Sequence, residues 1–123
     1  MPLKRRADFL AAAKSGIKFV KPSVVVQSRK RDADETTTSA IRLGFTATKK
    51  LGNAVVRNRV KRRMRAAAFP LVTELGVEGC DYVFIGREPA YQSTFDNLIR
   101  DMKHALKRLA DSLTAVKNQK SEE

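Results

Sequence analysis

The sequence predicts a single domain built from both helices and strands, and three features indicate this. Its 123 residues suit one domain with one modest hydrophobic core. Residues 40–48 alternate apolar and polar side chains, as a half-buried strand does. Residues 95–113 carry apolar side chains at helical spacing. Because no repeat or linker divides the chain, we expect one domain over residues 1–123, with a flexible tail from about residue 115.

The first half of the chain predicts a helix followed by strands. Residues 5–14 have a helix-forming composition and end close to a glycine. Residues 19–29 contain the short β-branched run SVVVQS, which is typical of a strand. In the alternating strand at 40–48, the apolar face is expected to meet the core. The opposite face includes Thr46 and Thr48 and is small and polar, so it either meets solvent or binds a ligand.

The second half predicts a helix, a buried strand and a long final helix. Asn53 is a good N-cap for the first of these helices. We expect that helix to run to about Ala68, because Pro70 cannot donate the backbone hydrogen bond of a helix interior. The apolar run CDYVFIGR at 80–87 is typical of a buried strand. A capping-box pattern begins at Ser93, before the last helix, whose apolar stripe would cover the core.

The chain is strongly basic, and its charge is unevenly distributed. The net charge at pH 7 is +12, and residues 1–73 alone carry +14. A field of this strength attracts a polyanion, most often nucleic acid. A membrane surface is the weaker alternative, because membrane-binding helices expose large apolar side chains, whereas valines and alanines accompany the charges here. No apolar run approaches the length of about 20 residues that a membrane span needs.

The densest charge lies in the segment AVVRNRVKRRMR, residues 54–65. On a helix that advances about 100° per residue, Val56, Val60 and Met64 form one narrow stripe that would face the core. The six arginines and lysines of the segment surround this stripe and fill the outer face. Solvent-facing helices usually mix both signs of charge, but residues 36–73 contain no acidic residue. The helix therefore repels itself, and phosphates would relieve that repulsion.

The sequence predicts no catalytic group in the protein itself. Its one histidine, His104, lies on the polar side of the last helix, and its one cysteine, Cys80, lies within an apolar run. Neither has the companions of a zinc site or a nucleophilic triad. The basic half also has few carboxylates for a metal-dependent nuclease. The single cysteine, together with an N-terminal segment unlike a signal peptide, fits a cytoplasmic protein.

The segment KKLGNAVVRNRVKRRMR, residues 49–65, resembles the signature of the bacterial ribonuclease P protein subunit. The resemblance extends to the first helix at 3–16, the central strand at 41–48 and the strand at 79–90. It implies a single-domain α+β sandwich of order α-β-β-β-α-β-α, of the ribosomal protein S5 domain 2-like kind. That fold has a central sheet and a left-handed crossover through the basic helix, where handedness rules alone would favour a right-handed one.

The same resemblance implies a role in a ribonucleoprotein enzyme that removes the 5′ leader of precursor tRNA. In this family a catalytic RNA subunit holds the active site and most of the Mg²⁺, and the protein contributes no catalytic residue. The expected partners are ribonuclease P RNA and precursor tRNA, not a membrane or a small-molecule substrate. The residues matched to the RNA-subunit interface are Lys49, Lys50, Asn53, Arg57, Asn58, Arg59, Lys61, Arg62 and Arg65. Those matched to the leader-binding cleft are Arg6, Phe9, Gln27, Arg42, Thr46 and Thr48. Metal binding by the protein itself is left open.

Two positions depart from the family pattern, and three other functions stay open. Ala13 and Gln27 stand where many members carry aromatic residues, which would weaken base stacking in the cleft. The main alternative is a structural or ribosomal RNA-binding protein without a processing role, which would show the same charge. A DNA-binding protein would place the basic helix in a major groove, with a single asparagine to read adenine. A nuclease that acts without RNA is the remaining alternative.

Overall fold

The computed structural model describes residues 6–31, 41–87 and 94–122. Three α-helices and four strands follow in the expected order, with one short 3₁₀ turn before the second helix. They are α1 (Arg6–Ser15), β1 (Ile17–Val20), β2 (Val24–Lys30), β3 (Arg42–Ala47), the 3₁₀ turn (Lys49–Leu51), α2 (Ala54–Leu75), β4 (Cys80–Gly86) and α3 (Phe95–Glu122).

The four strands form one mixed sheet with the spatial order β1-β2-β4-β3. β1 and β2 form an antiparallel hairpin, β2 also pairs antiparallel with β4, and β3 pairs parallel with β4. A parallel pair needs a crossover connection, and α2 supplies it between β3 and β4. β4 lies inside the sheet and is buried almost throughout, which explains its continuous apolar sequence. The predicted α+β fold with a central sheet is confirmed.

One face of the sheet packs against α2 and α3 and forms the main core. Met64 of α2, Leu106 of α3, and Tyr82 and Phe84 of β4 are among its fully buried side chains. The hydroxyl of Tyr82 accepts a hydrogen bond from the backbone N–H of Val77 at 2.9 Å, so its polar end is satisfied inside the core. α2 is therefore fixed to the sheet along one side, and its other side is left for a partner.

The opposite face of the sheet carries α1 and a smaller apolar cluster. Phe9 of α1 packs there with Val83 and Ile85 of β4. Gly16, directly after α1, lets the helix end approach β2, because a Cβ atom at this position would lie 2.3 Å from the carbonyl oxygen of Ser28. The sheet thus separates the main core from a second face, where polar side chains of β2 and β3 lie beside α1.

The segment predicted as one strand at 19–29 is instead a hairpin of two strands. β1 ends at Val20 and β2 begins at Val24, and the backbone N–H of Lys21 donates to the carbonyl of Val24 at 2.9 Å. Pro22 explains the break, because its ring fixes φ at a value that suits turns and it has no N–H for a strand ladder. The additional strand agrees with the order that the family resemblance implied.

α2 is also longer than predicted, because it passes through Pro70 and ends at Leu75. The prediction that the helix stops near Ala68 is therefore wrong. A proline in a helix deprives the carbonyl four residues earlier of its partner. Here that carbonyl belongs to Ala66, and both residues lie on the exposed side of the helix. Beyond the proline, Leu71 is buried in the core, and its packing stabilises the last turns of the helix.

The start and end of α3 also differ from the sequence prediction. Thr94 precedes the helix, and its Oγ1 accepts a hydrogen bond from the backbone N–H of Asn97 at 3.1 Å, so Thr94 acts as the cap. The predicted cap, Ser93, lies outside the described residues. The backbone of α3 is helical to Glu122, through the segment predicted as a tail, whose lysines and glutamine are good helix formers. The flexibility of that segment stays a prediction.

Candidate RNA interface

α2 starts from a closely built turn and cap. The 3₁₀ turn Lys49–Leu51 ends at Gly52, whose φ of +135° favours glycine. Asn53 then caps α2, because its side-chain Oδ1 accepts a hydrogen bond from the backbone N–H of Val56 at 3.0 Å, as predicted. The two lysines of the turn are exposed beside the positive end of the helix dipole. This end of α2 is therefore suited to phosphate.

The inner face of α2 matches the predicted apolar stripe. Val60, Met64 and Ala67 are buried and Val56 is half-buried. Because this stripe determines which side of the helix meets the core, the opposite side must carry the charged residues.

The outer face of α2 and the preceding turn carry the residues matched to the RNA-subunit interface. The exposed ones are Lys49, Lys50, Asn53, Asn58, Arg59, Arg62 and Arg65. The half-buried ones are Arg57 and Lys61. An open groove on this face is lined by Val55, Asn58, Lys61, Arg62 and Arg65. The structure therefore places all nine residues on one helix and its lead-in.

Arg65 connects this basic surface to the sheet. Its guanidinium lies over the ring of Phe45 in β3, with 5.5 Å between Cζ and the ring centroid. The ring of Phe45 in turn stacks on Phe84 of β4, with centroids 5.3 Å apart. β3 is the edge strand of the sheet, so this flank of α2 lies beside the sheet edge. Arg65 is thus held in place by an aromatic contact while it stays open to solvent.

The residues matched to the leader cleft lie on or beside the sheet face toward α1. The strand register places Gln27, Val83 and Gly44 in one row across β2, β4 and β3, and Thr46 lies beside Ile85 one row along. Of the predicted residues, Phe9, Gln27, Arg42 and Thr46 are half-buried, and Arg6 and Thr48 are exposed. The structure therefore gathers residues of three separate segments around one face.

An ionic cluster at one end of this face was not predicted. The carboxylate of Asp81 is fully buried in β4 and lies in the same row as Arg29 of β2 and Arg42 of β3. Arg42 donates to it twice, from Nε and Nη2, both at 2.7 Å. Arg31 donates at 2.6 Å and Arg29 at 3.2 Å. The signal in the sequence was one aspartate inside an apolar strand, because such a charge must be paired.

The surroundings of Asp81 keep its carboxyl group ionised. Burial by itself would raise the pKa of Asp81, but the hydrogen bonds from Arg42 and Arg31 outweigh it and hold that pKa below its ordinary value of 3.8. Arg29 and Arg42 also face Asp8 of α1, at 3.7 and 3.5 Å. Arg42 is therefore a positioned donor that two carboxylates share, and the cluster ties α1 to the sheet.

The residues with nucleophilic or acid–base potential lie away from both surfaces. Cys80 is fully buried, and burial raises the pKa of its thiol. His104 is exposed on α3, where its Nδ1 lies 2.9 Å from Nζ of Lys21. Within residues 6–31, 41–87 and 94–122, no three histidine, cysteine or acidic side chains gather as a metal site would need. None of the helices in these ranges combines the length and hydrophobicity that crossing a bilayer requires.

Comparison with known proteins agrees with this geometry. The family model described as ribonuclease P matches residues 1–110. The chain is 48% identical over 108 residues to the ribonuclease P protein component of Ruegeria pomeroyi, which covers 87% of this chain and 84% of that protein. It is 43% identical over 111 residues to that of Caulobacter vibrioides, over 90% and 72% of the two chains.

Solved structures show the same fold. The RNase P protein of Staphylococcus aureus superposes with a TM-score of 0.71 at 32% identity, over 86% of this chain and 92% of that one. The RNase P protein of Thermotoga maritima superposes with a TM-score of 0.72 at 28% identity, over 88% and 96%. These similarities favour a processing role over the ribosomal alternative. The chain therefore belongs to the ribonuclease P protein family, as the non-catalytic protein component of a ribonucleoprotein endoribonuclease that acts in tRNA 5′ processing.

Proposed function

We propose that the outer face of α2 and the turn before it bind the ribonuclease P RNA. The observation that carries this proposal is a charge of one sign: the nine matched residues are seven cations and two asparagines, and residues 36–73 contain no acidic residue. Arginine guanidinium groups suit bidentate contacts with phosphate. Asn53 acts indirectly, because its Oδ1 is used in the cap of α2. Asn58 is exposed between two arginines and can donate to or accept from the RNA.

The sheet face toward α1 binds the single-stranded 5′ leader of precursor tRNA. Its residues are Arg6, Phe9, Gln27, Arg42, Thr46 and Thr48. Phe9 offers the aromatic surface for base stacking, since Ala13 and Gln27 replace the aromatic residues of many relatives. Thr46 offers a hydroxyl group on the open part of the face. Arg42 contributes directed N–H groups more than net charge, because Asp81 already balances it.

The protein assists catalysis through charge, and the Mg²⁺ ions of the reaction are held mainly by the catalytic RNA. Mg²⁺ there would stabilise the charge that develops at the scissile phosphate. The α2 surface neutralises phosphates of the RNA subunit, so the precursor tRNA approaches a less negative surface. The enzyme works in the cytoplasm, on newly made precursor tRNA.

The salt dependence of RNA binding tests the α2 interface. We expect the Kd of the protein for a ribonuclease P RNA transcript to rise about 10³-fold or more between 50 and 200 mM salt. Arg62→Ala should lower the slope of log Kd against log salt by about one. Lys107→Ala removes an exposed cation from α3, where both signs of charge occur, and serves as the matched control. A slope that Arg62→Ala leaves unchanged, or that both variants lower equally, would contradict the proposal.

A comparison of two substrates tests the leader face. Thr46→Val removes one hydroxyl group and keeps the shape of the side chain, so the fold should be preserved. We expect the reconstituted holoenzyme with this variant to bind precursor tRNA more weakly and to bind mature tRNA as before, because mature tRNA has no leader. An equal loss for both tRNAs would place Thr46 outside the leader site.

A further inference from the structure

An exposed phenylalanine continues the basic row of α2. Asn58, Arg62, Arg65 and Phe69 follow one another at intervals of four, three and four residues, which places them on one face of the helix. All four are exposed, and Phe69 keeps 54% of its surface accessible. With a rise of about 1.5 Å per residue, Phe69 lies about 6 Å beyond Arg65 along the helix axis. The groove on α2 extends to Arg65, so the ring is the next large side chain on this face.

The helix holds this ring in an outward position. Ala68 before it and Leu71 after it are both buried in the main core, so the helix cannot rotate to bury Phe69. The carbonyl of Phe69 also accepts a hydrogen bond from Oγ1 of Thr73 at 2.9 Å. A phenylalanine side chain has only two rotatable bonds, so little conformational freedom is lost when a flat partner stacks on it.

The chemistry of the surrounding surface identifies the partner of this ring. A single exposed apolar residue is ordinary on a protein surface, but the residues that precede Phe69 on this face are arginines and an asparagine. An apolar protein partner would have to bring its own negative charge to such a surface. RNA brings phosphates for the arginines and flat bases for the ring at the same time, and bases stack on aromatic rings with little sequence preference.

We propose that Phe69 is a stacking platform for an unpaired base of the ribonuclease P RNA, so that the RNA-binding surface extends one helical turn beyond Arg65. This inference rests on the proposed function, because it assumes that the outer face of α2 meets that RNA. It adds a contact that does not depend on phosphate charge to an interface that is otherwise electrostatic. This difference separates the two ideas experimentally.

The Kd for the ribonuclease P RNA transcript, measured over a range of salt concentrations, tests the proposal. Phe69→Ala should raise the Kd roughly 5- to 150-fold, the range for loss of one stacked base. The slope of log Kd against log salt should stay as in the wild type, because no phosphate contact is removed. Phe69→Leu keeps an apolar side chain and should behave like Phe69→Ala, whereas Phe69→Tyr should restore affinity. The last pair separates stacking from hydrophobic contact and from folding.

Phe95→Ala is the matched control, because Phe95 is an exposed phenylalanine on α3, where both signs of charge occur. This control should leave the Kd unchanged. Wild-type Kd for Phe69→Ala and Phe69→Leu would overturn the inference, as would a loss that Phe69→Tyr does not reverse. If Phe69→Ala instead abolished self-association without changing the Kd, the ring would contact a second copy of the chain, and the inference would again be wrong.

Chemical probing of the RNA locates the contact. The wild-type protein should protect a small set of unpaired nucleotides that the Phe69→Ala complex leaves reactive at saturating protein. Identical protection patterns would overturn the inference. Failure of the proposed function has a different signature: binding would be insensitive to salt and Arg62→Ala would change nothing, whatever the effect of Phe69.

Discussion

Asp81 is a single carboxylate that organises three arginines, and its loss should destabilise the protein. Asp81→Asn keeps the shape of the side chain but removes the charge that Arg31 and Arg42 bond. Removing one partner of a buried ionic cluster leaves uncompensated charge, so we expect the free energy of unfolding at pH 7 to fall by about 3–5 kcal/mol. Urea unfolding measures this change. Asp111→Asn, at an exposed carboxylate of α3, is the control and should have a small effect.

The same variant predicts a pH dependence. The pKa of Asp81 in the folded protein lies below its ordinary value of 3.8, so its contribution to stability is fully present above that value and is lost as the pH falls through the lower, folded pKa. The difference in unfolding free energy between the wild type and Asp81→Asn should therefore be constant from about pH 5 to 8 and narrow below about pH 4. A difference that stays constant down to pH 2 would show that charge is not its cause.

Asn53 gives a separate prediction, because its cap and its place in the RNA interface can be tested apart. Asn53→Ala removes the acceptor for the backbone N–H of Val56 and should lower the free energy of unfolding by about 1 kcal/mol. Asn53→Ser keeps a capping oxygen and should keep most of that stability. Thermal unfolding measures both variants. If Asn53→Ser also restores the RNA affinity that Asn53→Ala loses, Asn53 acts on the RNA through the helix start; otherwise its amide makes a direct contact.

These two residues show what the sequence could and could not predict at this scale. The cap was predictable because Asn53 and the helix that it starts are adjacent in the chain. The partners of Asp81 were not, because Arg29 and Arg42 reach it only through the register of β2 and β3 on β4. Register is set by the packing of the whole sheet, and a shift of one residue would turn these side chains to the other face.

At the scale of elements, α2 carries a stress that can be removed. Pro70→Ala would supply the backbone N–H that the carbonyl of Ala66 lacks and would place the best helix former at an exposed position. We expect the free energy of unfolding to rise, by up to about 3 kcal/mol. Urea unfolding with Pro22→Ala as the control checks this, because the hairpin turn at Pro22 suits proline and that variant should not stabilise the protein. A destabilised Pro70→Ala would mean that the ring of Pro70 makes packing contacts of its own.

The boundaries of elements were harder to predict than their existence. Periodicity predicted the stripe of α2 and the buried strand β4, because both depend on side chains a few residues apart. The hairpin β1–β2 was missed from the residues alone, because four residues of β1 are too few for an alternation to stand out. The end of α2 was misplaced, because burial of Leu71 outweighs the local penalty of Pro70. Tertiary packing decided each of these cases.

At the scale of the whole molecule, charge and architecture are segregated together. Residues 1–73 carry a net charge of +14, and residues 74–123 carry −2. The negative part supplies β4 and α3, which build the interior, whereas α1, β3 and α2 supply the surfaces proposed to meet RNA. The interior therefore compensates little of the basic field, which stays available to a polyanion. This arrangement trades some stability of the free protein for binding, since like charges on one surface repel.

A consequence of this segregation is that the protein should lower the Mg²⁺ requirement of the catalytic RNA. At low Mg²⁺, repulsion between the RNA subunit and precursor tRNA limits their association, and a bound surface of concentrated positive charge reduces that repulsion. We expect the wild-type protein to restore leader cleavage at Mg²⁺ concentrations where the RNA alone is inactive. A variant with Arg59, Arg62 and Arg65 changed to glutamine should need more Mg²⁺ for the same rate. The same three-charge change at Arg100, Lys103 and Lys107 of α3 should not, because those residues lie outside the proposed interface. If both variants raise the Mg²⁺ requirement equally, total charge rather than its placement on α2 is responsible, and if the wild-type protein has no effect at low Mg²⁺, its contribution to the enzyme is not electrostatic.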